Sequence, residues 1–229
     1  MTDAEKVNFH FDLWTQPWIG LEKLDGGFVR LGIEDTLLGS HEFRGFFDPS
    51  PLVVVGIHRL LTAILQDIFS PESEEELKQL WTMQQLSAEM LTTFQANYGD
   101  RFDLFSQEEP FFQSMDTSST PAKGENIKSA AYLFHDIPSG TEHTHYRHGV
   151  QTDQIFCPVC VAAGMVTLPA FSTSGGKGIK PSINGVPPTY VIPCGKNLLE
   201  SLLLSLVLPG YQPPTRSVEL DWFGGQENP

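Results

Sequence analysis

The densest chemistry in the chain lies between residues 143 and 160, where His143, His145 and His148 are followed by Cys157 and Cys160. A Cys-x-x-Cys pair places two thiolates on one tight turn with the bite a tetrahedral zinc needs, and two imidazoles three to five residues apart are its commonest complement. His143 and His148 have four residues between them, His145 and His148 only two. The spacing therefore selects His143, His148, Cys157 and Cys160 as a closed, structural Cys2His2 zinc site, with His145 open as a replacement for either imidazole. Such a site would pin the segment from Ser139 to Ile155, which has too little apolar content to order itself. The competing reading is a loop with exposed histidines and two reduced thiols. A redox role for Cys-x-x-Cys needs a thioredoxin-like strand-helix-strand context, and none precedes it.

The same histidines permit a hydrolytic reading. His-x-His-x-x-His is the skeleton of the metallo-β-lactamase-type hydrolase motif, in which an Asp before the last His helps hold a second metal and the attacking water. Here that position is Arg147, a cation where an anion is required. A metal-dependent hydrolase or nuclease is thus the alternative to a non-catalytic protein. No Gly-x-Ser-x-Gly elbow is present, and Gly175-Gly176-Lys177-Gly178 lacks the Gly-Lys-Ser/Thr of a phosphate-binding loop.

A second constellation is Ser172-Thr173-Ser174-Gly175-Gly176-Lys177-Gly178-Ile179-Lys180-Pro181-Ser182-Ile183-Asn184-Gly185. Three glycines in four residues disfavour helix and strand and let main-chain N–H groups approach a ligand closely. Lys177 and Lys180 add charge for phosphates, and a thin backbone fits a DNA minor groove where bulky side chains do not. An ordinary flexible loop would carry the same composition. The aromatic residues Trp14, Trp18, Phe102, Phe105, Phe111 and Phe112 are read as core, whereas Tyr146 falls in the polar, His-rich loop.

The elements that must position these groups are mixed. Phe11 to Ile19, the turn Asp25-Gly26-Gly27 and Phe28–Leu31 predict a hairpin. Ser50-Pro51 opens a helix predicted to run to about Phe69, with apolar residues all round and hence buried. Ser73-x-x-Glu76 makes a capping box for a helix continuing through Leu77, Leu80, Met83, Leu86, Met90 and Phe94 until Gly99. Pro158 to Leu168 predicts a short helix, Thr189 to Ile192 a strand, and Asn197 to Leu208 a Leu-rich helix stopped by Pro209-Gly210. The fold class is α+β: helices and short sheets with long loops, over residues 1–208. Residues 209–229 read as an irregular tail, a linker toward a further helical bundle.

Composition bounds the function. The chain of 229 residues is 40% hydrophobic and 18% charged, which is globular, and the spacing of its apolar residues predicts no membrane span. The absence of a signal-like start and the three cysteines predict a cytoplasmic location. A net charge of −14 repels nucleic acid overall. Yet no Asp or Glu occurs from Gln154 to Leu199, where Lys177, Lys180 and Lys196 fall. Contact with a polyanion would be local to that stretch, unless it is simply buried.

In its order of features the chain resembles the N-terminal domain of the CasA-type large subunit of the type I-E CRISPR Cascade complex. The matching pieces are Phe11-Asp12-Leu13-Trp14-Thr15-Gln16-Pro17-Trp18-Ile19, Pro110-Phe111-Phe112-Gln113, Ser139-Gly140-Thr141, Cys157-Pro158-Val159-Cys160, the glycine loop, Asn184-Gly185-Val186-Pro187-Pro188-Thr189 and the Leu-rich helix. The resemblance implies a non-catalytic subunit of an RNA-guided surveillance complex in antiviral defence. Such subunits recognise a short protospacer-adjacent motif in double-stranded DNA, help start unwinding and recruit a helicase–nuclease. DNA contact would map onto Gly175, Gly176, Lys177, Gly178 and Lys180. A long loop toward the CRISPR RNA 5′ handle and the CasD-type neighbour would map onto Ser139–Gly149, with Thr144, Tyr146 and Arg147 at its contacts. CasC-type subunits are further implied partners. The family's C-terminal bundle and strand-separating wedge have no counterpart in these residues, and the zinc assignment rests on spacing rather than on the resemblance.

Overall fold

In the computed structural model, residues 9–113, 130–134, 155–171 and 189–212 are described. The described residues open with a turn built on two aspartates. Asp12 accepts from the Trp14 N–H at 2.9 Å and the Thr15 hydroxyl at 2.8 Å, while Asp103 accepts from the Phe11 N–H at 2.9 Å. Leu13 N–H to Phe102 O and Leu104 N–H to Phe11 O then tie this turn to residues 102–104. The first strand therefore begins later than the alternation at Phe11 suggests. β1 (Ile19–Lys23) pairs antiparallel with β2 (Phe28–Leu31), Ile19 opposite Leu31, and with β3 (Phe43–Phe46), giving the order β2-β1-β3. The predicted Asp25-Gly26-Gly27 turn is present. Gly26 has φ +91°, a left-handed value that glycine adopts without penalty, and Asp25 accepts from the Gly27 N–H at 2.9 Å.

Between β2 and β3 lies α1 (Ile33–Leu38), and after β3 comes α2 (Pro51–Phe69), which starts and stops where the sequence predicts. By length and composition alone α2 could cross a membrane, contrary to the expectation from apolar spacing. In this fold it is the central core helix, burying Val53, Ile57, Leu60, Leu61, Ile64 and Leu65 and packing against β3 and four other helices. Those helices are α4 (Ala88–Tyr98), α5 (Pro158–Met165), α6 (Leu168–Phe171) and α7 (Leu198–Leu203).

Other predicted elements differ too, and the helix predicted over Pro158–Leu168 is α5 and α6, with α5 ending at Met165. The helix predicted from Ser73 through Phe94 is two helices, α3 (Glu74–Trp81) and α4, separated at residues 82–87. The Ser73 cap forms as expected, accepting from the Glu76 N–H. The break follows from side chains that compete with the helical ladder: the Thr82 hydroxyl donates to Gln79 O at 2.7 Å and Gln84 donates to Thr82 O at 3.0 Å. Leu86 still reaches the core from the connection, which is why apolar spacing persists across it. Residues 189–192 form no strand: among the described residues no strand pairs with them, and Val191 is 90% exposed. The Leu-rich helix ends at Leu203 rather than Leu208. The Gln66 amide of α2 captures Val207 in extended form, accepting from its N–H at 2.9 Å and donating to its carbonyl at 3.1 Å.

Trp14, Trp18, Phe102 and Phe111 are buried as expected, while Phe105 and Phe112 are half-buried. Trp14 lies 5.7 Å from Phe94 and 5.3 Å from Phe102, an aromatic cluster that joins the N-terminal turn to α4.

Candidate nucleic-acid interface

Most of the two segments singled out from the sequence, Ser139–Ile155 and Ser172–Gly185, falls in residues 135–154 and 172–188; residues 130–134 and the start of α5 flank the first stretch, and the end of α6 and residues 189–190 flank the second. Thr144, Tyr146, Arg147, His143, His145 and His148 of the first stretch lie outside the described residues, as do Gly175, Gly176, Lys177, Gly178 and Lys180 of the second. The feet of both stretches are described, and each foot is an aromatic pair. Phe134 and Phe156 bring their rings to 4.8 Å at the base of the first. Phe171 and Tyr190 meet edge to face at 5.4 Å and 79° at the base of the second.

The helical pair is held tightly. A Cβ at Gly164 would come within 2.8 Å of the Leu133 side chain, so residues 130–134 can lie flat on α5. Thr167 donates to Gly164 O at 2.6 Å in the turn from α5 to α6. On the other side a Cβ at Gly56 of α2 would meet the Val166 carbonyl oxygen at 2.6 Å, so this turn presses directly on the core helix backbone.

Cys157 caps the N-terminus of α5, its Sγ accepting from the Cys160 N–H at 3.4 Å, with Pro158 in the first turn. The two sulfurs are 3.2 Å apart and both side chains are exposed. The Cys160 backbone N–H holds the Cys157 thiol below its usual range, while the hydrogen bond with Cys157 and then burial push Cys160 up, partly offset by Arg30. Two thiolates each ~2.3 Å from a tetrahedral ion lie about 3.8 Å apart, so a small rotation about the Cys side chains brings the pair to a metal bite. Among the described residues no group of three metal-ligating side chains occurs.

At the second foot, sequence reasoning missed two residues. The Tyr190 hydroxyl donates to Ala170 O at 2.8 Å and accepts from an Arg59 guanidinium N–H, and the guanidinium carbon lies 4.7 Å from the Tyr190 ring centroid. No motif flags either: Arg59 is one cation on a core helix, and Tyr190 falls in the stretch predicted as a strand. Lys196, in the acid-free stretch, is exposed and 3.9 Å from Glu200.

The charge pattern persists in the described part of this region. Residues 155–171 carry no ionisable side chain other than the two cysteines, while the acidic first turn of α3, Glu74, Glu75 and Glu76, belongs to a different element.

Comparison with known proteins bears on this arrangement. The family model for CRISPR-associated protein Cse1 matches residues 12–226. The CRISPR-associated protein CasA/Cse1 of Thermus thermophilus is 32% identical over 204 residues, covering 86% of this chain and 39% of that protein. The crystal structure of Cse1 from Acidimicrobium ferrooxidans superposes with a TM-score of 0.71 at 28% identity, over 89% of this chain and 39% of its own. A chain of a CRISPR RNA-guided surveillance complex, pre-nicking, gives a TM-score of 0.70 at 20% identity over 96% of this chain and 46% of that one, a likeness of fold. The chain thus spans about two-fifths of the length of the relatives it matches.

Proposed function

This chain belongs to the CRISPR-associated Cse1 family, and on that premise we propose that it serves as a non-catalytic subunit of an RNA-guided surveillance complex that reads a short motif in double-stranded DNA. The observation that carries the reading is that the first long segment leads into α5 and the second follows α6. Two stretches with different chemistry, one rich in His and one in Gly and Lys, thus adjoin two helices that both pack against α2.

In this reading the glycine-rich segment meets the DNA minor groove. Gly175, Gly176 and Gly178 keep the backbone thin, and Lys177 and Lys180 face phosphates. Contacts to phosphate supply affinity, and backbone groups in the minor groove supply the coarse sequence readout that the groove allows. The acid-free stretch around the segment removes the repulsion that the rest of the chain would impose. The other segment, with Thr144, Tyr146 and Arg147, reaches the 5′ handle of a CRISPR RNA and the CasD-type neighbour, with CasC-type subunits alongside. DNA cleavage falls to a recruited helicase–nuclease, in line with the lack of a nucleophile–base constellation in the sequence. Zinc held by Cys157, Cys160, His143 and His148 would close the foot of the RNA-facing segment, and the Cys157–Cys160 turn at the start of α5 supplies half of such a site.

The test is recovery of the full chain from its native host by an affinity tag. The expected result is copurification with a short RNA of constant 5′ sequence and several other subunits. Recovery of the chain alone, free of RNA, would overturn the reading.

A further inference from the structure

The foot of the glycine-rich segment is built more elaborately than a loop closure requires. Tyr190 uses its hydroxyl twice, as donor to Ala170 O and as acceptor from Arg59, and its ring packs edge-on against Phe171. Arg59 stands on the 19-residue core helix α2, so the contact ties Tyr190, at the returning end of the segment, to the central helix of the fold. The chain around Tyr190 has little else to hold it. Among the described residues 189–193, no other side chain hydrogen-bonds to another element, and Val191 is 90% exposed.

We infer that Arg59 and Tyr190 form a clasp that positions the glycine-rich segment 172–188 for DNA, an inference that rests on the DNA-reading role proposed above. Arg59 is a positioning residue: its guanidinium is spent on the phenol and its ring, not on phosphate. A planar guanidinium can donate to the hydroxyl while lying against the ring, which a lysine ammonium cannot do in the same pose. The clasp fixes where both ends of the segment leave the protein. It thereby favours DNA binding through the placement of the segment's ends, without adding a contact to the DNA.

The experiment measures binding of the reconstituted complex to duplexes with and without the adjacent motif, over a range of salt. Tyr190→Phe removes both hydrogen bonds and keeps the ring. Arg59→Lys keeps the charge and removes the planar donor, and Arg59→Gln removes the charge. Each is expected to weaken motif-dependent binding roughly tenfold, as loss of a pair of such hydrogen bonds does, with the salt slope of the wild type retained. Wild-type binding by Tyr190→Phe and Arg59→Lys overturns the clasp. A slope lowered by about one unit in Arg59→Gln also overturns it, because Arg59 would then be a direct phosphate contact. Gly176→Asp is run alongside. If it binds DNA normally, the DNA-reading role fails, and tryptic cleavage of the full chain at the Lys177–Gly178 bond decides the clasp by itself. Cleavage several-fold faster in Tyr190→Phe than in wild type supports the clasp, and equal rates overturn it.

Discussion

His58 supplies a stability test whose size follows from the structure. It lies on α2 with 5% exposure, its Nε2 2.8 Å from the Ser205 hydroxyl and its ring edge-on to Phe46. Ser205 donates its proton to Ser201 O at 2.9 Å, which leaves a lone pair to accept from the Nε2–H of neutral His58. Protonation would add a charge in a site built for a neutral ring, and burial lowers the His58 pKa from 6.5 to about 4. The unfolded chain therefore binds the proton more readily than the native one, and stability falls as pH drops from 6.5 toward 4. At about 1.4 kcal/mol for each pH unit between those two values, the full loss is about 3 kcal/mol, of which about 2 kcal/mol is reached by pH 5. The assay is urea unfolding of the wild type and His58→Gln between pH 7.5 and pH 5. Other titrating groups affect both proteins alike, so the quantity read is the difference between them. The wild type should lose about 2 kcal/mol more than the variant over this range. Parallel pH profiles would refute the reasoning.

Other outcomes follow from the same geometry. On the zinc site proposed above, replacing Cys157 or Cys160 by Ser should release zinc and lower the melting temperature, because structural zinc binding contributes ~10 kcal/mol or more of folding energy; elemental analysis and melting in a chelator check this, and a zinc-free protein with unchanged melting contradicts it. Gly56→Ala places a Cβ 2.6 Å from the Val166 carbonyl oxygen, so denaturant unfolding should show a loss of about 1–3 kcal/mol. Gly45→Ala in β3 meets nothing within 4 Å and should change stability by less than about 1 kcal/mol in the same measurement.

What could be read from the sequence was whatever is written locally. Pro51 in the first turn and unbroken apolar spacing located α2, although the Ser50 side chain makes no cap hydrogen bond, and Asp25-Gly26-Gly27 located the hairpin turn, because a proline and a left-handed glycine act through their nearest neighbours. The break after Trp81 was hidden because Leu86 keeps helical spacing while its backbone leaves the helix. The stretch 189–192 has strand-forming residues but no partner strand among the described residues, and pairing is a property of the whole fold. The end of α7 depends on Gln66, 141 positions from Val207, a distance that no local pattern spans. At the site, the Cys-x-x-Cys turn was legible because its spacing is its geometry. The pairing of Arg59 with Tyr190 was not, because it joins a core helix to a chain segment 131 positions away.

The central claim is that the glycine-rich segment reads DNA, and motif-dependent binding by a Gly176→Asp complex tests it most directly. The substitution adds bulk against the sugar walls of the groove and a negative charge facing phosphates, while Lys177→Ala removes only one cation. Gly176→Asp should abolish binding to motif-bearing duplexes with the complex still assembled. Lys177→Ala should weaken binding to all duplexes alike, flatten the salt dependence by about one unit of slope and keep the motif preference. Normal, motif-dependent binding by the Gly176→Asp complex would contradict the account.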